Sequence, residues 1–173
     1  SARGVKRSIS DIRIKAHRRL SRWLVDELNQ SELQHWLDLR CLLWPGDSGD
    51  HLNEIQQYFC GQNPHIERVW GVRSKGIPVM GFLELSLRSY AEGTSDSPVP
   101  YVEGWFVRAD ARGRGAGKAL MESAMGWASS RGFAYLASDT ELTNEGSIHA
   151  HHAIGFKEVG RQVAFLRQLK PKN

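Results

Sequence analysis

The chain has 173 residues, 40% apolar and 24% charged, which fits one globular domain with a buried core and excludes a disordered or low-complexity chain. No apolar run approaches the ~20 residues of a membrane-spanning helix, and the N-terminal stretch has no secretory h-region, so a cytoplasmic protein without a membrane partner is expected. The net charge of +4 is uneven: residues 1–22 hold eight Lys or Arg and one Asp, and the rest hold 15 cations against 18 anions. A mildly acidic body suits a cationic substrate and argues against nucleic acid as its ligand; residues 1–22 read as a basic extension outside a single domain spanning residues 23–173.

Taken in chain order, "WLVDEL" (23–28) reads as a first strand. Ser31 and Gln34 fit a capping box. Leu33, Trp36, Leu37, Arg40 and Trp44 then recur at helical spacing until Pro45-Gly46 ends the helix. Residues 50–61 suggest a second helix. Residues 67–89 read as two strands around a Ser-Lys-Gly turn; Leu83, Leu85 and Leu87 alternate with Glu84, Ser86 and Arg88, which predicts one buried face. A Gly, Ser, Asp and Pro-rich loop (90–98) leads to the strand "YVEGWFV" (101–107). A helix over 116–131 closes at Gly132. The strand "AYLAS" (134–138), a helix over 144–154 and a closing strand "QVAFLRQL" (162–169) complete an α/β chain with a mixed sheet flanked by helices. Cys41 and Cys60 lack metal-ligand spacing, and no HExxH or CxxC occurs, so free thiols and no metal are expected.

The densest chemical signal is "RGRGAGK", Arg112 to Lys118, between a strand and a helix. Free N–H groups and the helix dipole at such a helix start favour an anion, and glycine lets backbone approach it. A Walker loop fails, because Arg112 stands where glycine is needed and Ala119 where Ser or Thr is needed. A dinucleotide GxGxxG fails at Lys118. Arg112-x-x-Gly115-x-Gly117 resembles the pyrophosphate loop [Q/R]xxGx[G/A] of the GNAT acetyltransferases. That resemblance implies the GNAT fold and acetyl-CoA, with Gly113, Arg114, Gly115, Ala116, Gly117 and Lys118 around the pyrophosphate and Trp105, Phe106 and Val107 along the pantetheine arm.

Four further stretches resemble one branch, the aminoglycoside 6'-N-acetyltransferases: "HWLDLRCLLWPG" (35–46), "SLRSY" (86–90), "SDSPVPYVEGWFV" (95–107) and "ASDTELTNEGSIHAHHAIGF" (137–156). The resemblance implies a homodimer that moves an acetyl group to the 6'-amine of an aminoglycoside and confers resistance. Another cationic amine (a polyamine, a lysine or a protein N-terminus) fits the same residues.

Such a pocket needs carboxylates for ammonium groups and flat side chains for sugar rings. Glu103 on the central strand and Asp139 beyond the next one fill the first need; either can act catalytically by taking the amine's proton, directly or through a water, with Asp139 the expected base. Trp44 and Tyr90 fit the second, with Asp47 in an acidic stretch beside Trp44. Asn144 matches the branch's pantetheine contact and also suits a helix N-cap. His151 lies in Ser147-xxx-His151 on the helix expected to flank the cofactor. GNAT enzymes often use a tyrosine as general acid to the thiol; the last strand here, "VAFLR", has none.

Overall fold

The computed structural model describes residues 22–170; all but one residue of the basic extension lies outside the described residues. The strands are β1 (Leu24–Glu27), β2 (Arg68–Arg73), β3 (Gly81–Arg88), β4 (Val99–Val107) and β5 (Ala137–Ser138). The helices are α1 (Leu33–Leu43), α2 (Ser48–Phe59), α3 (Ala116–Ser130) and α4 (Glu145–Ala153). The strands form one sheet in sequence order. The first four pair antiparallel, and β4 pairs with β5 in parallel, through Tyr101↔Ala137 and Val102↔Ser138.

The expected mixed sheet is present, with particular differences. The cap before α1 is Asn29 with Glu32, a reciprocal capping box on a 3-10 turn, rather than Ser31 with Gln34. Asn29 wins because its carboxamide oxygen reaches the Ser31 N–H at 3.0 Å while Glu32 answers to the Asn29 N–H at 3.1 Å. The strand expected over 162–169 does not form. Residues 156–169 carry no helix or strand, and Phe165 and Leu166 are 93% and 101% exposed, so among the described residues the segment has no neighbour to pair with.

The alternation in β3 also resolves differently. Both faces of the sheet are covered. On one face α3 packs Leu120, Met121 and Ala124 against Trp70, Leu83, Leu85 and Val102. On the other, α1 and α2 bring Trp36, Leu37, Leu39 and Ile55 against Val69 and Phe82. The polar set of β3 therefore faces protein, with Glu84 only 2% and Ser86 6% exposed, while Leu87 at the strand's end is 39% exposed.

Glu84 is tolerated there because it is partnered. Trp36 Nε1 donates to its Oε1 at 2.7 Å, and Arg40 Nε lies 2.9 Å from the same oxygen. Arg40 also reaches Glu54 on α2, at 2.6 Å. One buried carboxylate thus ties β3 to α1 and, through Arg40, to α2.

Burial pushes the Glu84 carboxyl up to about 7, against the pull of Arg40 and Trp36. Between the ordinary carboxylate range and 7 the folded chain then holds a proton that the unfolded chain has lost, so stability falls as pH rises through that window. Glu84→Gln is expected to flatten this slope, by up to about 1.4 kcal/mol per pH unit. Denaturant unfolding of both proteins between pH 5 and 7 measures it.

Candidate active site

β4 is nine residues long and β5 only two, so the strands part after Val102 and Ser138. Residues 103–107 run on without a β5 partner. At the parting point β4 carries a bulge: Glu84 pairs with Gly104 but Leu85 pairs with Val102, so Glu103 is the extra residue. A bulge re-aims its side chain and bends the strand.

Glu103 turns toward Ser86 and Arg88 on β3. Ser86 Oγ donates to Oε1 at 2.5 Å, and Arg88 Nε and Nη2 donate to Oε1 and Oε2 at 2.7 and 2.6 Å. Burial alone raises the Glu103 pKa, but the bonds from Arg88 and Ser86 outweigh it and leave the carboxyl below its ordinary value. The Arg88 guanidinium also lies 3.6 Å above the Tyr101 ring. The Tyr101 hydroxyl hydrogen-bonds the exposed Asp139 carboxylate; burial and that anion push the phenol up to about 12. Glu103 and Asp139 thus belong to one cluster, joined by Arg88 and Tyr101, where the β4–β5 gap begins. Arg88 and Tyr101 are site residues that charge-seeking in the sequence passed over. Their only signal was position: both flank Glu103 on paired strands.

Trp44 lies across β4 beside this cluster. A Cβ on Gly104 would meet its ring at 2.6 Å, so Gly104 is needed for close approach. The ring is half-buried, with Arg40 5.3 Å from its centroid and His51 bonded to its carbonyl at 2.9 Å. Asp47 is drawn into the N-cap of α2, accepting from Gly49 N–H at 2.7 Å. Tyr90, 62% exposed, hydrogen-bonds Glu92 on its own loop and stands apart from the cluster.

The glycine loop has the geometry of an anion cradle. Gly113 and Gly115 take φ of +71° and +88°. Gly115 caps α3 without a side chain, and the first return bond is Ala119 N–H to the Gly115 carbonyl at 3.0 Å. The N–H groups of Ala116, Gly117 and Lys118 precede it, at the positive end of the helix dipole. Arg112 Nε donates to the Val107 carbonyl at 2.7 Å, and Trp23 Nε1 to the Arg114 carbonyl at 2.6 Å, so both ends of the loop are pinned. Lys118 is exposed, 3.4 Å from Glu122. Gly117 has a second duty: the Trp105 indole stacks 3.2 Å from where its Cβ would be and donates to its carbonyl at 3.0 Å. Phe106 turns its carbonyl toward Gly81 on β3. By strand alternation, the backbone facing the gap is that of Trp105 and Val107. These features fit a pyrophosphate on α3 and an extended arm along β4.

On the far side of the gap, Asn144 caps α4, accepting from Ser147 N–H at 3.0 Å. One turn on, His151 Nε2 lies 2.8 Å from Ser138 Oγ, and its Nδ1 lies 2.7 Å from the Ser147 carbonyl. Among the described residues no cluster of three or more His, Cys, Asp or Glu could hold a metal ion.

Gly104→Ala is expected to force Trp44 off β4 and to destabilise the fold by about 1–3 kcal/mol, as overpacking does. Thermal unfolding and the change in tryptophan fluorescence check it.

The model of the acetyltransferase (GNAT) family matches residues 33–156. An aminoglycoside N(6')-acetyltransferase type 1 of Klebsiella aerogenes is 39% identical over 147 residues, covering 84% of this chain and 97% of that one. The solved AAC(6')-Iy in complex with the bisubstrate analogue CoA-S-monomethyl-acetylneamine has a TM-score of 0.76 at 32% identity, over 84% of this chain and 98% of that one. AAC(6')-Ih from Acinetobacter baumannii has a TM-score of 0.76 at 33% identity, over 86% and 99%. The loop, the gap and these likenesses together place the chain in the GNAT acetyltransferase family, as an acetyl-CoA-dependent N-acetyltransferase of the aminoglycoside 6'-N-acetyltransferase branch.

Proposed function

We propose that this enzyme acetylates the 6'-amino group of aminoglycosides and so confers resistance to them. The observation that carries the reading is the pairing of Glu103 and Asp139 beside the β4–β5 gap. Two carboxylates at the mouth of an acyl-donor cleft suit a polycationic acceptor. Acetylation removes one positive charge from that acceptor and with it the charge contacts the drug depends on.

Acetyl-CoA supplies an activated thioester carbonyl; everything else falls to the chain. The α3 N-terminus with Gly113 to Lys118 holds the pyrophosphate, and Trp105 and Val107 hold the arm by backbone pairing, with Phe106 at its back. Asn144 starts the helix on the opposite side. An alkyl amine has a pKa of about 10.4 and arrives protonated, so a group must take its proton. Glu103, held low by Arg88, is better suited to binding an ammonium than to taking its proton. Asp139 is left as the base, directly or through water. Holding amine and thioester in register contributes more than the proton transfer, about 7–11 kcal/mol in well-oriented cases. Trp44 offers a wall for a sugar ring beside Glu103. Asp47 and Tyr90 lie further out, where they meet outlying parts of a larger substrate.

The same reading makes the enzyme a homodimer. Val163, Phe165, Leu166 and Leu169 are 71–101% exposed on the unpaired C-terminal segment, and β5 is the last strand of the sheet among the described residues. A second copy covers both the apolar side chains and the free edge. No helix among the described residues is long and apolar enough to cross a membrane. Cys41 and Cys60 are free thiols, which agrees with a cytoplasmic enzyme.

Two experiments check this. Thiol release from acetyl-CoA is expected with an aminoglycoside bearing a 6'-amine and not with its 6'-hydroxyl counterpart. Asp139→Asn should lower kcat about 10²–10⁴-fold, while Glu103→Gln mainly raises the acceptor KM. Absence of turnover with either drug moves the acceptor to polyamines or peptide amines. Sedimentation equilibrium is expected to give a dimer, and Phe165→Asp with Leu166→Asp a monomer.

A further inference from the structure

We propose that Ser138 and His151 form a proton relay to the sulfur of the departing coenzyme A. The proposal rests on the acetyl-transfer reading above and adds the acid that this reading lacks. The last segment offers Phe165 and no tyrosine, and the Tyr101 hydroxyl is engaged by Asp139.

The geometry points to the relay through four features. Ser138 is the last residue of β5, paired with Val102 at the point where β4 turns away, so it stands at the inner end of the gap. Its backbone already belongs to the ladder, and its hydroxyl serves no strand bond; it is spent on His151 Nε2, 2.8 Å away. A carbonyl can only accept, so the Ser147 carbonyl at 2.7 Å from Nδ1 puts a hydrogen on that nitrogen and leaves Nε2 for the serine in either charge state. The ring cannot swing away: the edges of Trp105 and Phe156 hold it at centroid distances of 5.1 and 5.3 Å. Trp105 lies on the very strand that faces the gap.

Once the amine nitrogen has bonded to the acetyl carbon, the carbon–sulfur bond breaks and its electron pair stays on sulfur. The Ser138 hydroxyl proton passes to sulfur. The Nε2 proton of the His151 imidazolium passes to the Ser138 oxygen, leaving neutral imidazole with Nδ1–H still on the Ser147 carbonyl. The ammonium sheds two protons through Asp139 to water, one before attack and one as the amide forms, and the imidazole takes one back from water. Each turnover forms one amide and one thiol and releases one proton to water. Ser138 is the catalytic residue of the pair, and His151 is a positioning and proton-supplying residue that acts through it.

The test compares wild type with Ser138→Ala, His151→Gln and the double variant, using acetyl-CoA and acetyl-seleno-CoA. A selenol is more acidic than a thiol, so its anion departs without a proton. With acetyl-CoA, each variant is expected to lose about 10²-fold or more in kcat, the double no more than the worse single, since the pair acts as a unit. Calorimetric CoA affinity should stay within about threefold of wild type. With the selenoester most of the loss should disappear. Ser138→Thr, which keeps the hydroxyl, should retain activity. Wild-type turnover establishes acetyl transfer on its own, so failure of the variants to differ from it overturns only the relay. Equal losses with both donors, or a loss of CoA affinity matching the loss in kcat, also overturn it and assign the pair to packing.

Discussion

Everything at this site depends on where β4 stops being paired. A parallel strand of two residues leaves the remaining backbone of its neighbour without a ladder. Unpaired backbone groups in a covered sheet must find partners. The chain satisfies one of them itself, through Arg112 on the Val107 carbonyl, and leaves the rest facing a gap. A ligand with its own amide groups fits that edge, and the glycine loop that follows β4 at once is placed to hold the ligand's anionic end. Fold and cofactor site are therefore one feature: the same strand that builds the sheet ends as half of the cleft.

The bulge at Glu103 explains why the acceptor side has the charge it has. Without the extra residue the side chain would point to the opposite face of the sheet, since register shifts invert every side chain. With it, Glu103 joins Ser86 and Arg88, and the Arg88 guanidinium lies against Tyr101, whose hydroxyl meets Asp139. Two carboxylates, one on β4 and one just past β5, are thereby brought together with a cation between them to offset their repulsion. The buried Glu84–Arg40–Trp36 group does comparable work behind them, fixing α1 and with it the Trp44 wall on Gly104.

Much of this was legible in the sequence because it depends on local chemistry. Gly113 and Gly115 announce left-handed backbone, Pro45-Gly46 a helix end, and the run from Arg112 to Lys118 an anion. The order of elements from β1 to α4 followed from periodicity together with Gly and Pro turn signals. What was not legible depends on contacts between distant segments. The alternation of β3 looked half-exposed because Glu84 and Ser86 are polar, yet α1 and α2 cover them; only Trp36 and Arg40, over 40 residues earlier, make that burial tolerable. Asp47 reads as a substrate carboxylate, and its added part as a helix cap depends on Gly49 two residues on. The segment over 162–169 has every local mark of a strand. A strand needs a neighbour as well as a pattern, and among the described residues none is offered. Arg88 and Tyr101 drew no notice because their meaning comes from sheet register.

The central claim, that the open edge of β4 and the start of α3 form one coenzyme A cleft, is tested most directly by residue-resolved amide hydrogen exchange with and without coenzyme A. The fold described here predicts new protection at Trp105 and Val107 and at the loop amides of residues 113–118, with the β1–β2 ladder unchanged. Protection confined to any other surface, or none at saturating coenzyme A, would contradict it.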